Sequence, residues 1–321
     1  MDKVRVVLVG AGGIAQSAHC PALTQLPDVE IAAVCDLVLD KAQKVAETFG
    51  IPKVYRDYQE MIEQVAPDAV YVLVRAHQMY DIAEFALKSG KHVFLEKPPG
   101  VMSEQTRQLR DLAAANNCLT ATGFQRRHTP ITVECLRRVR EKGPVYQVLV
   151  SFLKWMAEGA YYGGGDILHG DVIHIVDTMR WMAGAEAADV CSDVKAHGTS
   201  ISTAHNAFVR FTNGAIGFLQ SNHRVGGRQL RFEIHGDGIS CVFAPEEGGV
   251  IYETGKEPEH LDAAELAGGP EMFRIGFIQE NRHFMDCIKR GCQPDTNLED
   301  ALKTMKLCDA IAQNSPPWTQ D

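Results

Sequence analysis

Gly10-Ala11-Gly12-Gly13-Ile14-Ala15 comes directly after an apolar run at 4–9 and opens a helix-length segment. In that setting Gly10 permits a tight turn, and Gly12 lets backbone N–H groups approach a pyrophosphate. The small Ala15 allows the helix to pack on the strand, and the helix N-terminus favours negative charge. Gly13 and Ile14 complete the turn as candidate cofactor contacts. A second apolar run ends at Ala33-Val34-Cys35-Asp36, about twenty residues on, where a carboxylate can accept hydrogen bonds from an adenosine ribose. Asp36 would repel a 2′-phosphate, and Leu37 and Val38 supply no cation to hold one, so the pattern favours NAD over NADP. The plainer reading of Asp36, a cap on the next helix, is compatible with this one.

Two further groups carry chemistry. Glu96-Lys97-Pro98-Pro99 lies at the carboxyl end of the run KHVFL, and in open α/β sheets that end faces the ligand crevice. Lys97, on a loop restricted by prolines, is placed to stabilise charge on a substrate oxygen. Farther on, Gly163-Gly164-Gly165-Asp166 precedes His169, Asp171, His174 and Asp177. Residues 171, 174 and 177 are spaced by three on a predicted helix, so both carboxylates can flank His174, whose imidazole titrates in the range useful for proton transfer. A His/Asp metal site is the competing reading of this cluster. His19 could face the cofactor or pack on its helix. Gln125 and Arg127 could reach the crevice, with one of Arg126 and Arg127 expected to be solvated. Trp155, Tyr161 and Tyr162 could line a substrate pocket or plug a sheet.

The elements that must position these residues are legible in the periodicity. From residue 3 to about 122, Val- and Ile-rich runs alternate with amphipathic segments at 14–26, 39–49, 78–89 and 103–116, which predicts parallel βαβ units whose strands are covered on both faces. The chain therefore divides into a Rossmann-type, doubly wound α/β domain at 1–122 and a second domain at 123–321. After helices at 129–141 and up to 183, the second domain shows short strands near 188–197, 203–211, 214–224, 228–235 and 239–243, parted by turn signals such as Thr212-Asn213-Gly214. These predict an antiparallel meander, giving an α+β domain with a large, open-faced, mainly antiparallel sheet. Helices at 271–290 and 298–313 close the chain, the last packing back on the first domain.

Composition narrows the class. With 45% hydrophobic residues among 321, the chain can bury two cores. Its 41 acidic and 32 basic residues, a formal charge of −9 without long blocks of one sign, argue against nucleic acid as partner and for a small molecule. The nine cysteines include no C-x-x-C pair, as suits reduced thiols in the cytoplasm. No run of 18 apolar residues predicts a membrane span.

Taken together, GAGGIA with His19 and Pro21, Asp36, GKHVFLEKPPG at 90–100, GFQRRHTP at 123–130, GGGDILHGDVIHIVD at 163–177 and PDTNLEDALKTMKLCDAI near the end resemble the Gfo/Idh/MocA family over nearly the whole chain. The resemblance implies a Rossmann domain, an open-faced mixed or antiparallel sheet that often mediates oligomerisation, and oxidation or reduction of sugars, polyols or related carbonyl compounds. By position, Lys97 matches the family's catalytic lysine and His174 its acid/base histidine, with Glu96 and Pro98 completing the lysine loop. Two departures stand out. The family usually carries aspartate four residues before the histidine, where this chain has Gly170 and then Asp171; and its common Thr-Pro-Asn is Val74-Arg75-Ala76, with Met79 for a frequent histidine.

The expected reaction is reversible hydride transfer between a secondary alcohol carbon and nicotinamide. His174 handles the hydroxyl proton, Lys97 polarises the oxygen and Asp171 tunes His174. Cofactor contacts are expected from the glycine turn, Asp36, Glu96, Lys97, Pro98 and Arg127; substrate contacts from Lys97, Arg75, Gln125, Trp155, His169, Asp171 and His174. No metal is expected, and a homodimer or homotetramer is expected to form through the second sheet. The rival readings are a catalytically silent nucleotide-binding sensor of the same fold and a metal-assisted lyase.

Overall fold

A computed structural model describes residues 3–157, 166–269 and 271–313. The chain forms two compact units: Met1–Gly123 with Phe277–Leu302, and Phe124–Gly276 with Lys303–Asp321. The segment 277–302 thus belongs to the first unit although it follows the second in sequence.

The first unit is built on a six-stranded parallel sheet: β1 (Val4–Val9), β2 (Val29–Cys35), β3 (Val54–Tyr55), β4 (Ala69–Val72), β5 (His92–Leu95) and β6 (Thr120–Thr122), in the order β3-β2-β1-β4-β5-β6. Reversal of the strand order beside β1 creates the crevice at the carboxyl edge that α/β folds use for ligands. Val6, Val7, Leu8, Val70, Val72, Val93 and Leu95 are buried completely, the expected outcome for strands covered on both faces. Helices Leu39–Phe49, Ala76–Lys88 and Ser103–Ala115 match their expected segments, and the helix expected at 14–26 runs unbroken over 13–23, widened to a π-helical turn at Ala15–His19. Helix Tyr58–Val65, capped by Asp57 through Gln59 N and Glu60 N, is an addition to the expected elements. The helix Phe277–Arg290 completes the unit: Phe284 packs on the stacked rings of Tyr71 and Phe94, and Arg282 and Lys289 both hold Asp28.

The second unit contains an eight-stranded sheet, β7 (Gln147–Trp155), β8 (Ala187–Lys195), β9 (Ala204–Phe211), β10 (Ile216–Asn222), β11 (Arg224–Gly236), β12 (Ile239–Ala244), β13 (Gly248–Glu253) and β14 (Glu259–Asp262). Its order is β14-β13-β12-β11-β7-β10-β9-β8. The predicted meander needs one correction: β7 inserts between β11 and β10 and runs parallel to β10, so the sheet is mixed. Strand alternation cannot reveal this, because side chains alternate identically in parallel and antiparallel pairs. One face of the sheet is covered by helix Ile173–Ala183, packed so closely that a Cβ on Gly217 would lie 2.8 Å from the Met179 sulfur. The other face carries Leu149, Phe218 and Phe208 side by side across β7, β10 and β9, with the two phenyl rings 5.3 Å apart. The predicted helix at 271–290 is broken at Gly276, whose φ of +89° only glycine adopts readily and whose Cβ would meet the Gln125 carbonyl at 2.4 Å. Among the described residues no helix is long and apolar enough to cross a membrane.

Candidate active site

In the first unit the glycine turn is fixed by its surroundings. Gly10 has φ +106°, and a Cβ there would lie 2.5 Å from the Leu73 carbonyl oxygen, so strand β4 excludes any side chain. Gly10 N donates to Cys35 O at 2.8 Å, tying the turn to β2. Asp36 accepts from Ala11 N and from Val38 N, both at 2.8 Å, so its carboxylate joins the glycine turn to the loop after β2. By contrast a Cβ on Gly12 or Gly13 would meet nothing within 4 Å. Those two glycines border a cleft of about 810 Å³ that Gly10, Ile14, Asp36 and Arg75 also line. Size, open backbone and an acidic group at the far side of the turn fit a dinucleotide. Lys41, Arg56 and Tyr58 line the same cleft, and no motif marked them. Ala15 is buried beneath the turn, the packing role expected of it.

The loop after β5 ends on the same carboxyl edge as Gly10 and Leu73, since β1, β4 and β5 are parallel neighbours. Glu96 is buried, and its Oε1 lies 2.9 Å from His19 Nε2 while Oε2 accepts from Lys97 N at 3.1 Å. His19 is itself enclosed by Tyr71, Phe94 and Phe277 and meets Asn281 on its other ring nitrogen. Gly123 must be glycine for this packing, because a Cβ there would stand 2.9 Å from the Glu96 carboxylate. Glu96 and His19 were candidates for touching a cofactor. In the structure they form a buried clamp that holds the Lys97 backbone, with the Lys97-Pro98 peptide cis.

In the second unit, His174 sits on helix Ile173–Ala183, buried at 7% exposure, edge-on to Phe124 at 6.5 Å. The carboxylates expected to flank it hold specific partners. Asp177 takes a bidentate contact from Arg127 at 2.7 and 2.5 Å and a hydroxyl from Thr304 at 2.9 Å, all three groups buried. Arg127, named above as a cofactor contact, is thereby a structural partner of the histidine helix, and neither it nor Arg126 is solvated. Asp171 is bonded by Lys154 and, at 2.9 Å, by His223 Nε2, two groups on and beside the sheet that no motif marks. His169 was expected at the substrate. Both its ring nitrogens are engaged, Nδ1 by Asp166 at 2.8 Å and Nε2 by Asp309 at 3.0 Å, which leaves none for a ligand. Burial opposes charge on this imidazole, yet the two carboxylates raise its pKa to about 9, so it is a cation at neutral pH. Trp155 ends β7 at 61% exposure, and Gln125 begins the turn Gln125–His128. Gly163, Gly164, Gly165, Tyr161 and Tyr162 lie outside the described residues. Among the described residues no three His, Cys, Asp or Glu side chains are arranged to hold a metal ion.

Residues 4–124 match the model of an oxidoreductase family with an NAD-binding Rossmann fold, and residues 136–241 match the Gfo/Idh/MocA C-terminal domain. The chain belongs to the Gfo/Idh/MocA family. It is an oxidoreductase, and NAD is its cofactor. It is 24% identical to the scyllo-inositol 2-dehydrogenase (NAD(+)) of Bacillus subtilis over 95% of this chain and 92% of that one. To the D-glucoside 3-dehydrogenase of Escherichia coli it is 31% identical over 61% and 58% of the two chains. Among solved structures, a dehydrogenase from Chromobacterium violaceum superposes with a TM-score of 0.89 at 21% identity, covering 98% of this chain and 95% of that one. These relatives are named dehydrogenases, so the reading as a silent sensor gains no support.

Proposed function

We propose that this enzyme oxidises a secondary hydroxyl of a sugar, polyol or close derivative, reversibly, with Lys97 and His174 as its catalytic residues. The observation that carries the reading is the buried Glu96–His19–Asn281 clamp: it fixes the lysine loop at the edge where the dinucleotide cleft opens, an arrangement with no purpose for a surface lysine. Gly10, Gly12, Gly13 and Ile14 would hold the pyrophosphate and Asp36 the ribose diol. Bound there, NAD supplies the hydride acceptor. Lys97 donates a hydrogen bond to the substrate oxygen and stabilises the alkoxide that forms as its proton leaves. His174 takes that proton and returns it in the reverse direction. The Arg127–Asp177 pair keeps the histidine helix in place, and Asp171 acts as a positioning group at its start. The relatives' names, inositol and glucoside dehydrogenases, support a polyhydroxylated substrate.

His174→Asn should leave NAD affinity near the parental value and slow oxidation about a hundredfold or more, and Lys97→Met should do the same through lost alkoxide stabilisation. NAD titration by calorimetry beside steady-state rates on a sugar and polyol panel checks both. Variants that bind NAD and turn over at the parental rate would refute the assignment. We also propose that the face of the second sheet bearing Leu149, Phe208 and Phe218 builds a homodimer or homotetramer, since an apolar row across three strands is unfavourable in water. A cytoplasmic setting completes the reading, as all nine cysteines are free thiols; cell fractionation checks it.

A further inference from the structure

Phe152, on the helix-covered face of β7, is surrounded by three cationic side chains. Lys154 Nζ lies 4.8 Å from the ring centroid, and the guanidinium carbons of Arg126 and Arg228 lie at 5.7 and 5.8 Å. His223 meets the same ring edge-on at 5.4 Å. Two carboxylates bond these cations directly, and a third, Glu247, acts on Arg228 from farther away. Asp171 takes Lys154 and His223, and Glu246 takes Arg228 in a two-pronged contact at 2.8 and 2.8 Å. That leaves Arg126 under-satisfied. It is only 8% exposed, its one ion pair is a 3.6 Å approach to the Glu246 oxygen that Arg228 already occupies, and its Nε is buried without a hydrogen-bond partner. A guanidinium carries five donors in a planar fork, and leaving them unmade inside a protein is costly. Burial pulls the Arg126 pKa down from its ordinary value, with Glu246 offsetting part of the effect.

We infer that Arg126, with Arg228 and Lys154 beside it, is the receptor for a carboxylate on the substrate, so that the enzyme prefers a sugar acid or polyol acid to the neutral compound. The inference rests on the dehydrogenase reading and adds the charge of the substrate to it. Two observations support this. Asp171, which bonds Lys154 and His223, lies one helical turn before His174, so one carboxylate ties part of the cluster to the helix that carries the proton acceptor. A planar carboxylate also fits the fork of a guanidinium. Arg228, half exposed, and Lys154, partly exposed, leave the cluster open to solvent on one side.

The test compares isosteric pairs on the NAD-loaded enzyme: D-glucuronate against D-glucuronamide, D-galacturonate against D-galacturonamide, and D-gluconate against D-gluconamide, with glucose 6-phosphate as a phosphate arm. Binding is read by calorimetry and thermal shift, independently of turnover. At least one acid should bind tenfold or more tightly than its amide, and that advantage should fall about 10–100-fold in Arg126→Gln, as expected for a lost hydrogen bond to a charged group. Arg228→Gln, at an exposed position, should show a smaller loss and guards against misfolding of the first variant. No acid preferred over its amide, a preference that survives both substitutions, or tighter binding of the phosphate than of every carboxylate overturns the inference. Oxidation of neutral polyols at full rate in that case would leave the dehydrogenase reading standing, whereas a parent that fails to bind NAD would remove both.

Discussion

His169 offers a measurement in which the structure fixes sign, range and size. Its pKa rises from 6.5 to about 9 because Asp166 and Asp309 grip its two nitrogens against the penalty of burial. A folded-state pKa above the unfolded value means that the folded chain keeps a proton the unfolded chain has lost; the contribution is complete below pH 6.5 and disappears as pH rises through about 9. At about 1.36 kcal/mol per unit the interval corresponds to about 3 kcal/mol. The carboxylates, however, have side chains 44% and 40% exposed, and solvent screening reduces the figure to about 1–2 kcal/mol. Urea unfolding of the parent and of His169→Gln, followed by far-ultraviolet circular dichroism at constant ionic strength from pH 6 to 9.5, isolates the effect. The parent should lead by about 1–2 kcal/mol at pH 6, and the lead should shrink steadily toward pH 9.5. A lead that stays constant or widens over that range would show that the imidazole is not held charged by these carboxylates.

The glycine turn gives a contrast between neighbours. Gly12→Val should leave thermal stability nearly unchanged, because a Cβ there meets nothing, but should lower NAD affinity at least tenfold; Gly10→Val should destabilise the protein itself by clashing with the Leu73 carbonyl. Equal effects of the two on melting temperature would overturn this division. Asp36→Ala should weaken NAD binding and narrow the preference over NADP, and Asp36→Asn, whose single amide oxygen can accept from only one of Ala11 N and Val38 N, should lose part of that preference with a smaller effect on the turn than Asp36→Ala. An unchanged cofactor ratio in titrations of both variants would remove Asp36 as the ribose-reading group. Light scattering at micromolar concentration should return a dimer or tetramer, and Phe218→Lys, on the apolar row, should shift it toward monomer. A monodisperse parental monomer contradicts the proposed interface.

Much of this protein was fixed by local sequence. Parallel strands covered on both faces must read as unbroken apolar runs, so the order of β1, β2, β4 and β5 and their helices could be read directly. A glycine turn, an acid after the second strand and a lysine after β5 announce themselves because backbone geometry and chain direction alone put them at one edge of the sheet. Partnership between distant residues is another matter, because it depends on which side chains meet once the chain has closed on itself. Tertiary structure alone decided that His19, Glu96 and Asn281 form one clamp across 262 residues of sequence, that Arg127 serves Asp177, and that both nitrogens of His169 are taken. It also decided that β7 runs between β10 and β11, which gathers Arg126, Lys154, His223 and Arg228 around a single phenyl ring. No spacing rule links those residues: they come from a turn, two strands and a strand junction, and only sheet register and burial make them neighbours.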